Sequence, residues 1–201
     1  MPSVLTPFVR SDAQGEVLAE TFLHPDEEMT LAELSRRTDV LPAVVHKEVS
    51  RLVDMGVLLD RRQGNNRLVR VNQTHPLFDS MEQILLATYG PVPVLRELLT
   101  PITGVEKAFI YGSWAARRNG ATGPFPHDID VLVVGMLSLD DVVDIETEAR
   151  DRLGIDVNIH RVTPEAWRDS EENQFLSTVK ARPLVALLER GPDGRPEIAN
   201  A

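Results

Sequence analysis

The chain has 201 residues, of which 42% are hydrophobic, and a formal net charge of −10. This composition excludes wholesale disorder. Because no run of about 18 apolar residues occurs, we expect no transmembrane helix. The first residues show no secretory signal, so we expect a cytoplasmic protein. The absence of cysteine excludes disulfides, a thiolate metal site and a cysteine nucleophile.

The charge is distributed unevenly along the chain. Residues 41–75, here called the basic island, contain six Lys or Arg against three Asp or Glu. The acidic overall charge argues against a protein that coats nucleic acid with its whole surface. A basic cluster within an acidic protein is instead typical of a local nucleic-acid contact.

The N-terminal part of the sequence predicts two helices. We expect a loose arm over residues 1–14 and a short helix over residues 15–24. Thr30 and Glu33 have the spacing of a capping box, in which two side chains satisfy the free amides at a helix start. The pattern therefore predicts a second helix that runs to about Arg37.

A third helix and a hairpin follow within the basic island. Pro42 suits the first position of a helix, and apolar residues repeat at helical spacing until Gly56 ends it. Residues 57–59 and 68–71 predict two strands around a turn. The order of helix, helix, turn, helix and hairpin predicts a winged helix-turn-helix domain over residues 1–75.

The polar face of the third helix and the tip of the hairpin supply the candidate DNA-binding residues. Short and polar side chains mixed with a few long ones suit a helix that enters the major groove, and a hairpin tip can contact phosphates or the minor groove. A solvated face or a protein-docking module is the alternative interpretation. The candidates are His46, Lys47, Ser50 and Arg51 on the helix, and Arg61, Arg62, Asn65 and Arg67 on or beside the hairpin.

Residues 15–75 resemble the winged helix of the ArsR/MarR type. The resemblance and the basic island predict double-stranded DNA as a partner. The charge of the island is too small for strong binding by one copy, so we expect a homodimer. The expected contacts are the helix at 16–24 and a connecting helix at 77–89, which have more apolar residues than the winged helix needs for its core.

The second half alternates strands and helices, which predicts an α+β fold with a mixed sheet and flanking helices. Connecting helices are expected within 76–103, the second domain over 104–190 and a polar tail over 191–201. The expected strands are 105–111, 129–134 and 155–162, and the expected helices are 113–118, 138–153, a short one after Thr163, and 175–188 with Pro183 as a break or kink.

Several carboxylates are predicted to meet in the second domain. Asp128 and Asp130 lie on one face of an apolar strand because side chains alternate, and burying two carboxylates side by side is costly without a cation. The oxygen ligands suit Mg²⁺. On the next strand Asp156, Asn158 and His160 share a face. The pair Gly112-Ser113 opens a helix, where exposed amides can bind phosphate.

The pair Gly112-Ser113, followed by Asp128-Ile129-Asp130 and a later strand Asp156, resembles the minimal nucleotidyltransferase of the DNA polymerase beta superfamily. The match covers about 105–190, and Ser113 to Arg117 is similar to the family's "GS-x-A-R" stretch with one extra residue. Fourteen residues separate Ser113 from Asp128, which is a long spacer and a possible flap, and His127 stands where relatives often carry Ser.

The resemblance implies roles for individual residues. Gly112, Ser113 and either Arg117 or Arg118 would bind the triphosphate of ATP or another nucleoside triphosphate. Asp128 and Asp130 would hold Mg²⁺. Asp156 would hold a second Mg²⁺ or take the proton from an attacking hydroxyl.

Two functions stay open at this stage. The first is a DNA-binding transcriptional regulator whose second domain transfers a nucleoside monophosphate to a hydroxyl acceptor, which can be a protein, an RNA or a small molecule. The alternative is a regulator whose second domain only senses nucleotide, or a component of a toxin–antitoxin module.

Overall fold

A computed structural model describes residues 9–122, 126–191 and 196–197. The chain divides into two compact units between Gly90 and Pro91, which lies inside the segment predicted to connect the two domains. None of the helices in these ranges is both long and apolar enough to cross a bilayer.

The described part of the first unit contains four helices, of which the first three start at a side-chain cap or a proline. Ser11 Oγ accepts a hydrogen bond from the backbone amide of Gln14, and Thr30 Oγ1 accepts one from Glu33, at 3.2 and 3.1 Å. Each bond satisfies an amide that has no partner within its helix. The helices are α1 (Asp12–Leu23), α2 (Leu31–Thr38), α3 (Pro42–Asp54) and α4 (Phe78–Thr88).

The start of α1 differs from the sequence expectation. Asp12 to Gln14 belong to the helix rather than to the predicted loose arm, because Ser11 caps the helix before them. Residues 1–8 of that arm lie outside the described residues.

A three-stranded antiparallel sheet completes the first unit, in the order β1-β3-β2. The hairpin of β2 (Leu58–Gln63) and β3 (Asn66–Val71) turns at Gly64, whose φ of +59° suits glycine. The two-residue strand β1 (Met29–Thr30) pairs with β3, and it was not predicted from the sequence. Two residues are too few for an alternation pattern to indicate a strand.

The core of the first unit joins all four helices to the hairpin. Apolar side chains of α1, α2, α3, both hairpin strands and α4 form one buried cluster, and the rings of Phe22 and Phe78 stack at 5.4 Å. With α2, a short turn, α3 and the β2–β3 hairpin in this order, the first unit is a winged helix-turn-helix fold.

The second unit is an α+β domain built on a five-stranded mixed sheet. Its strands are β4 (Val105–Tyr111), β5 (Asp128–Gly135), β6 (Asp156–Val162), β7 (Val185–Arg190) and β8 (Pro196–Glu197). Its helices are α5 (Pro91–Leu99), α6 (Gly112–Arg118), α7 (Leu139–Leu153), α8 (Pro164–Arg168) and α9 (Gln174–Lys180), with a short 3₁₀ turn at Ser170–Glu172.

The strand order is β6-β5-β4-β7-β8, with β5 and β6 parallel and the other neighbours antiparallel. Helix α7 makes the crossover between the parallel strands. It begins with a reciprocal capping box between Ser138 and Asp141 and ends at Gly154, whose φ is +66°. Every residue of β5 from Val131 to Gly135 is buried, so both faces of this strand are covered.

The predicted helix at 175–188 is wrong in its second half. The helix α9 ends at Lys180, and the residues after Pro183 form β7, which pairs with β4. The apolar run of residues 184–188 fits either element by periodicity, and pairing with the apolar strand β4 decides for the strand. Of the predicted tail at 191–201, residues 192–195 and 198–201 lie outside the described residues, and 196–197 pair with β7.

Candidate functional site

Helix α3 has one buried and one exposed face. Val45, Val49 and Leu52 are buried in the first unit, whereas His46 and Lys47 are exposed. Ala43, one turn earlier, is also exposed, so a small residue stands beside the two long ones. The predicted polar face of this helix is therefore free of the unit's own core.

Two of the predicted DNA-binding arginines have carboxylate partners next to α3. Arg51 forms an ion pair of 2.9 Å with Glu48 on the same helix. Arg67 forms one of 2.7 Å with Asp60 across the hairpin and donates a hydrogen bond of 2.8 Å to Ser50 Oγ. The hydrogen bond from Arg67 to Ser50 links the hairpin to α3, and the two ion pairs neutralise both arginines locally.

A third predicted DNA-binding arginine, Arg61 on the hairpin, is paired with Glu28. The Nε of Arg61 lies 3.0 Å from both carboxylate oxygens of Glu28, and Arg70 lies 4.0 Å from the same group. The hydrogen bond from Arg61 lowers the pKa of Glu28, so this carboxylate stays charged. Glu28 was not among the residues singled out from the sequence, because it lies outside the basic island.

The remaining basic groups of the predicted interface are unpaired. Lys47 on α3 and Arg62 on the hairpin are exposed, and within the described part of the chain neither forms an ion pair. Asn65 is exposed at the hairpin tip. The charge available for a ligand is thus concentrated on Lys47 and Arg62.

In the second unit, β5 carries the two aspartates that the sequence places on one face. Asp128 and Asp130 are half-buried, and no Lys or Arg in the described ranges forms an ion pair with either. Burial raises the pKa of Asp130 and the charge of Asp128 raises it further, with partial compensation from His160 and Asn158. The pair is a concentration of negative charge that His160 and Asn158 offset only in part.

The turn at Gly112 lies directly against this pair. Its φ of +73° is in the left-handed region, and a Cβ at this position would overlap Oδ2 of Asp130. The positive φ therefore favours glycine, and any side chain here would require the Asp130 carboxylate to shift. Ser113 is exposed in the first turn of α6.

The arginines predicted to bind phosphate lie at the end of α6, away from its first turn. Arg117 donates a hydrogen bond of 3.1 Å to the carbonyl of Ala121, which holds its guanidinium at the end of α6, and Arg118 is exposed. Part of the predicted flap, residues 123–125, lies outside the described residues.

Asp156 is a register neighbour of Asp128 but is directed elsewhere. Its carboxylate lies 3.6 Å from Arg150 of α7, and its side chain is 67% exposed. Asn158 lies opposite Asp130, and its Nδ2 donates a hydrogen bond of 3.2 Å to Asp128. In the part of the chain that the structure describes, no three Asp, Glu or His side chains are grouped as metal ligands.

Two half-buried carboxylates on one strand, with no Lys or Arg partner in the described residues, fit one Mg²⁺, which prefers a few carboxylates and completes its shell with water and phosphate. The donor chemistry of Asp128 and Asp130 meets this requirement. The arrangement of Asp156 with Arg150 does not supply ligands for a second ion.

Three aromatic side chains lie beside the carboxylates, and sequence reasoning gave them little weight. The hydroxyl of Tyr111 shares a hydrogen bond of 2.9 Å with Nδ1 of His160, and the ring of Phe175 lies within 5.9 Å of both rings. Tyr111 could have been found from its position directly before Gly112, and His160 from its place two residues after Asn158. Phe175, which reaches the site from α9, carries no such signal.

The chain was compared with known proteins. No family model and no curated protein matches it. Among solved structures, reduced HlyU from Vibrio cholerae N16961 matches at 17% identity, covering 42% of this chain and 83% of that chain, with a TM-score of 0.34. Reduced MarR from E. coli matches at 23% identity, 49% and 81% coverage, and a TM-score of 0.30. A toxin–antitoxin structure with AMP-PNP matches at 16% identity, 51% and 76% coverage, and a TM-score of 0.35.

Proposed function

We propose that the first unit binds double-stranded DNA and that the chain regulates transcription. The observation that carries this proposal is the exposed polar face of α3, which follows α2 in a helix-turn-helix and lies beside the β2–β3 hairpin. The small side chain of Ala43 permits close approach to a groove, while His46 and Lys47 are long enough to reach base edges.

Lys47 and Arg62 carry most of this interaction. Because Arg51, Arg61 and Arg67 are each neutralised by a carboxylate, few charges remain for phosphate contacts. One copy would bind weakly, so we propose that two copies bind together, each with its own α3. Light scattering at micromolar concentration tests this, and a monomer at every accessible concentration would contradict it.

The DNA proposal is tested with a duplex selected from a random-sequence pool and measured by fluorescence anisotropy. We expect Lys47→Ala and Arg62→Ala each to weaken DNA binding. The loss should be roughly 1–3 kcal/mol for a side chain that contacts a base. Arg182 is an exposed arginine of the second unit, so Arg182→Ala serves as the control for loss of charge alone. Wild-type affinity in both first-unit variants would overturn the assignment of this face.

The second unit favours a second function, binding of a nucleoside triphosphate with Mg²⁺ and transfer of its nucleoside monophosphate to a hydroxyl acceptor, with cleavage of the bond between the α- and β-phosphates and release of pyrophosphate. This rests on the pair Asp128 and Asp130, whose charge is offset only in part, against the glycine turn at Gly112. Asp128 and Asp130 would hold the ion, which neutralises phosphate charge when bound. The Gly112 turn leaves room for a phosphate next to the carboxylates, and Ser113 can donate its hydroxyl.

The transfer also needs a group that accepts the proton of the attacking hydroxyl, and Asp156 is the candidate. Because its carboxylate is paired with Arg150, it would have to leave this partner before it could act. If it does not, the domain binds nucleotide without transferring it, which is the sensor alternative. The acceptor is a protein, an RNA or a small molecule, and a protein or RNA acceptor would be consistent with a toxin–antitoxin role.

Thermal unfolding separates these alternatives. Trp114 and Trp167, the two tryptophans of the chain, both lie in the second unit, so tryptophan fluorescence follows that unit. Mg²⁺ with a nucleoside triphosphate at a hundredfold excess over Kd should stabilise it by about 2.7 kcal/mol. The double variant Asp128→Asn, Asp130→Asn should show no such stabilisation. No shift with any of the four triphosphates would overturn the nucleotide site, and a shift without transfer of label would favour the sensor.

A further inference from the structure

An aromatic cluster lies on the same face of the sheet as the two aspartates. It consists of Tyr111 on β4, His160 on β6 and Phe175 at the start of α9. The ring centroids of Phe175 are 5.9 Å from Tyr111 and 5.7 Å from His160. Whereas Tyr111 is buried, His160 is exposed and Phe175 is 43% exposed, so two of the three rings present surface to a ligand.

The two exposed rings are each held in place by neighbouring residues. The Tyr111 hydroxyl bonds to Nδ1 of His160 at 2.9 Å, which fixes the orientation of the imidazole. Next to Phe175, Leu176 is fully buried in the core that covers this face, and Asn173 caps α9 through the amides of both residues. The cluster is therefore a preorganised surface, which reduces the entropy lost on binding.

The position of the cluster relative to the carboxylates suits one nucleotide. In the sheet, Tyr111 pairs with Asp130, and His160 pairs with Leu132, two residues further along β5. Two residues of a strand span about 6–7 Å. Phe175 is about equally far from Tyr111 and His160, at 5.9 and 5.7 Å, so the three rings form one compact cluster that begins next to the carboxylates.

We propose that His160 and Phe175 form the surface on which the base of the bound nucleoside triphosphate stacks, with Tyr111 as the residue that positions His160. The inference rests on the proposed nucleotide site at Asp128 and Asp130, and it adds the residues that recognise the base. Every base has a π-face, so all four triphosphates bind. Purines bind more tightly because they cover more of the two rings.

The test compares a ligand that has a base with one that has none. Isothermal titration of the full chain with Mg²⁺-ATP and with Mg²⁺-tripolyphosphate measures the two affinities separately. We expect Phe175→Ala to weaken ATP binding roughly ten- to a hundredfold, as for the loss of one stacking side chain. The affinity for tripolyphosphate should stay unchanged. Phe175→Tyr keeps the ring and should retain ATP affinity, while His160→Ala should resemble Phe175→Ala.

The outcomes distinguish this inference from the nucleotide site itself. If wild type binds neither ligand, both proposals fail. If wild type binds ATP and Phe175→Ala binds it equally well, the stacking surface is wrong while the nucleotide site stands. Equal losses for ATP and tripolyphosphate would also overturn the inference, because the cluster would then act on the phosphates or on the fold. Tryptophan fluorescence of each variant checks that the second unit is folded.

Discussion

The side chains of Tyr111 and His160 meet across an intervening strand. Tyr111 lies on β4 and His160 on β6, and their hydrogen bond of 2.9 Å passes over β5, which separates these strands in the sheet. The bond therefore links the two outer strands of the three across β5, close to Asp130. It also places a polar contact at the boundary between the apolar core and the charged pair.

This contact predicts an alkaline loss of stability. Burial, followed by the charges of Asp130 and Asp128, raises the pKa of Tyr111 to about 12. An unfolded tyrosine ionises near pH 10, so as the pH rises the unfolded state loses its proton first and the native state loses stability between about pH 10 and 12. We expect Tyr111→Phe to remove this part of the decline and to cost about 1 kcal/mol at neutral pH through the lost hydrogen bond.

The measurement is urea unfolding followed by tryptophan fluorescence at about pH 8 and about pH 11. Tyr89→Phe is the matched control, because it removes the other tyrosine, which lies in the first unit. An alkaline decline in Tyr111→Phe equal to that of wild type would show that Tyr111 does not cause it.

The glycine turn gives a prediction with an internal control. Gly112 and Gly120 both have positive φ, at +73° and +88°, but only at Gly112 would a Cβ meet another side chain, the carboxylate of Asp130. We expect Gly120→Ala to show the cost of backbone strain alone, about 1 kcal/mol. Gly112→Ala should cost distinctly more and should also weaken Mg²⁺-nucleotide binding. Equal losses of unfolding free energy in the two variants would contradict the close packing of Gly112 and Asp130.

The two environments of aspartate predict opposite responses to the same substitution. Asp130 is half-buried beside a like charge, so Asp130→Asn should raise the melting temperature of the second unit at pH 7, by a few degrees. Asp156 is exposed and paired with Arg150, so Asp156→Asn should leave the melting temperature of the second unit unchanged or lower it slightly. The scan is recorded without Mg²⁺. A lower melting temperature in Asp130→Asn would mean that its charge has a favourable partner.

The carboxylate of Glu28 predicts a gain of DNA affinity on its removal. Glu28 neutralises Arg61 and lies near Arg70, so Glu28→Gln should free positive charge on the hairpin. Binding should tighten, and the slope of log affinity against log salt should steepen by about 0.9 for each new phosphate contact. Glu171 is an exposed glutamate of the second unit, so Glu171→Gln changes the net charge equally and serves as the control. Equal effects of both variants in anisotropy titrations would assign the gain to net charge rather than to the hairpin.

The winged helix was predictable because its signals are local. A hydroxyl cap at Thr30, a proline at the start of α3, helical spacing of apolar residues and a glycine turn are each read from a few adjacent residues. The strand β7 was not predictable in this way. Its residues pair with β4, which lies some 75 residues earlier, and a short apolar run has no local feature that distinguishes such a strand from a helix.

The candidate sites likewise combine features that local sequence predicts with features that depend on distant partners. Strand alternation predicts that Asp128 and Asp130 share a face, and the structure brings them together. Whether a charged side chain turns toward a site depends on partners from other elements. Arg150 of α7 pairs with Asp156, and Glu28 pairs with Arg61, and neither partner is adjacent in sequence.

The interior position of β7 has a consequence during synthesis. This strand lies between β4 and β8, so β4 has no second neighbour until the ribosome has passed Arg190. The residues before Gly90 form a compact unit that can fold while the rest of the nascent chain is still incomplete. A chain stalled or cleaved ahead of β7 would carry a folded winged helix attached to a sheet with an open, apolar edge, which would pair with other such chains and aggregate.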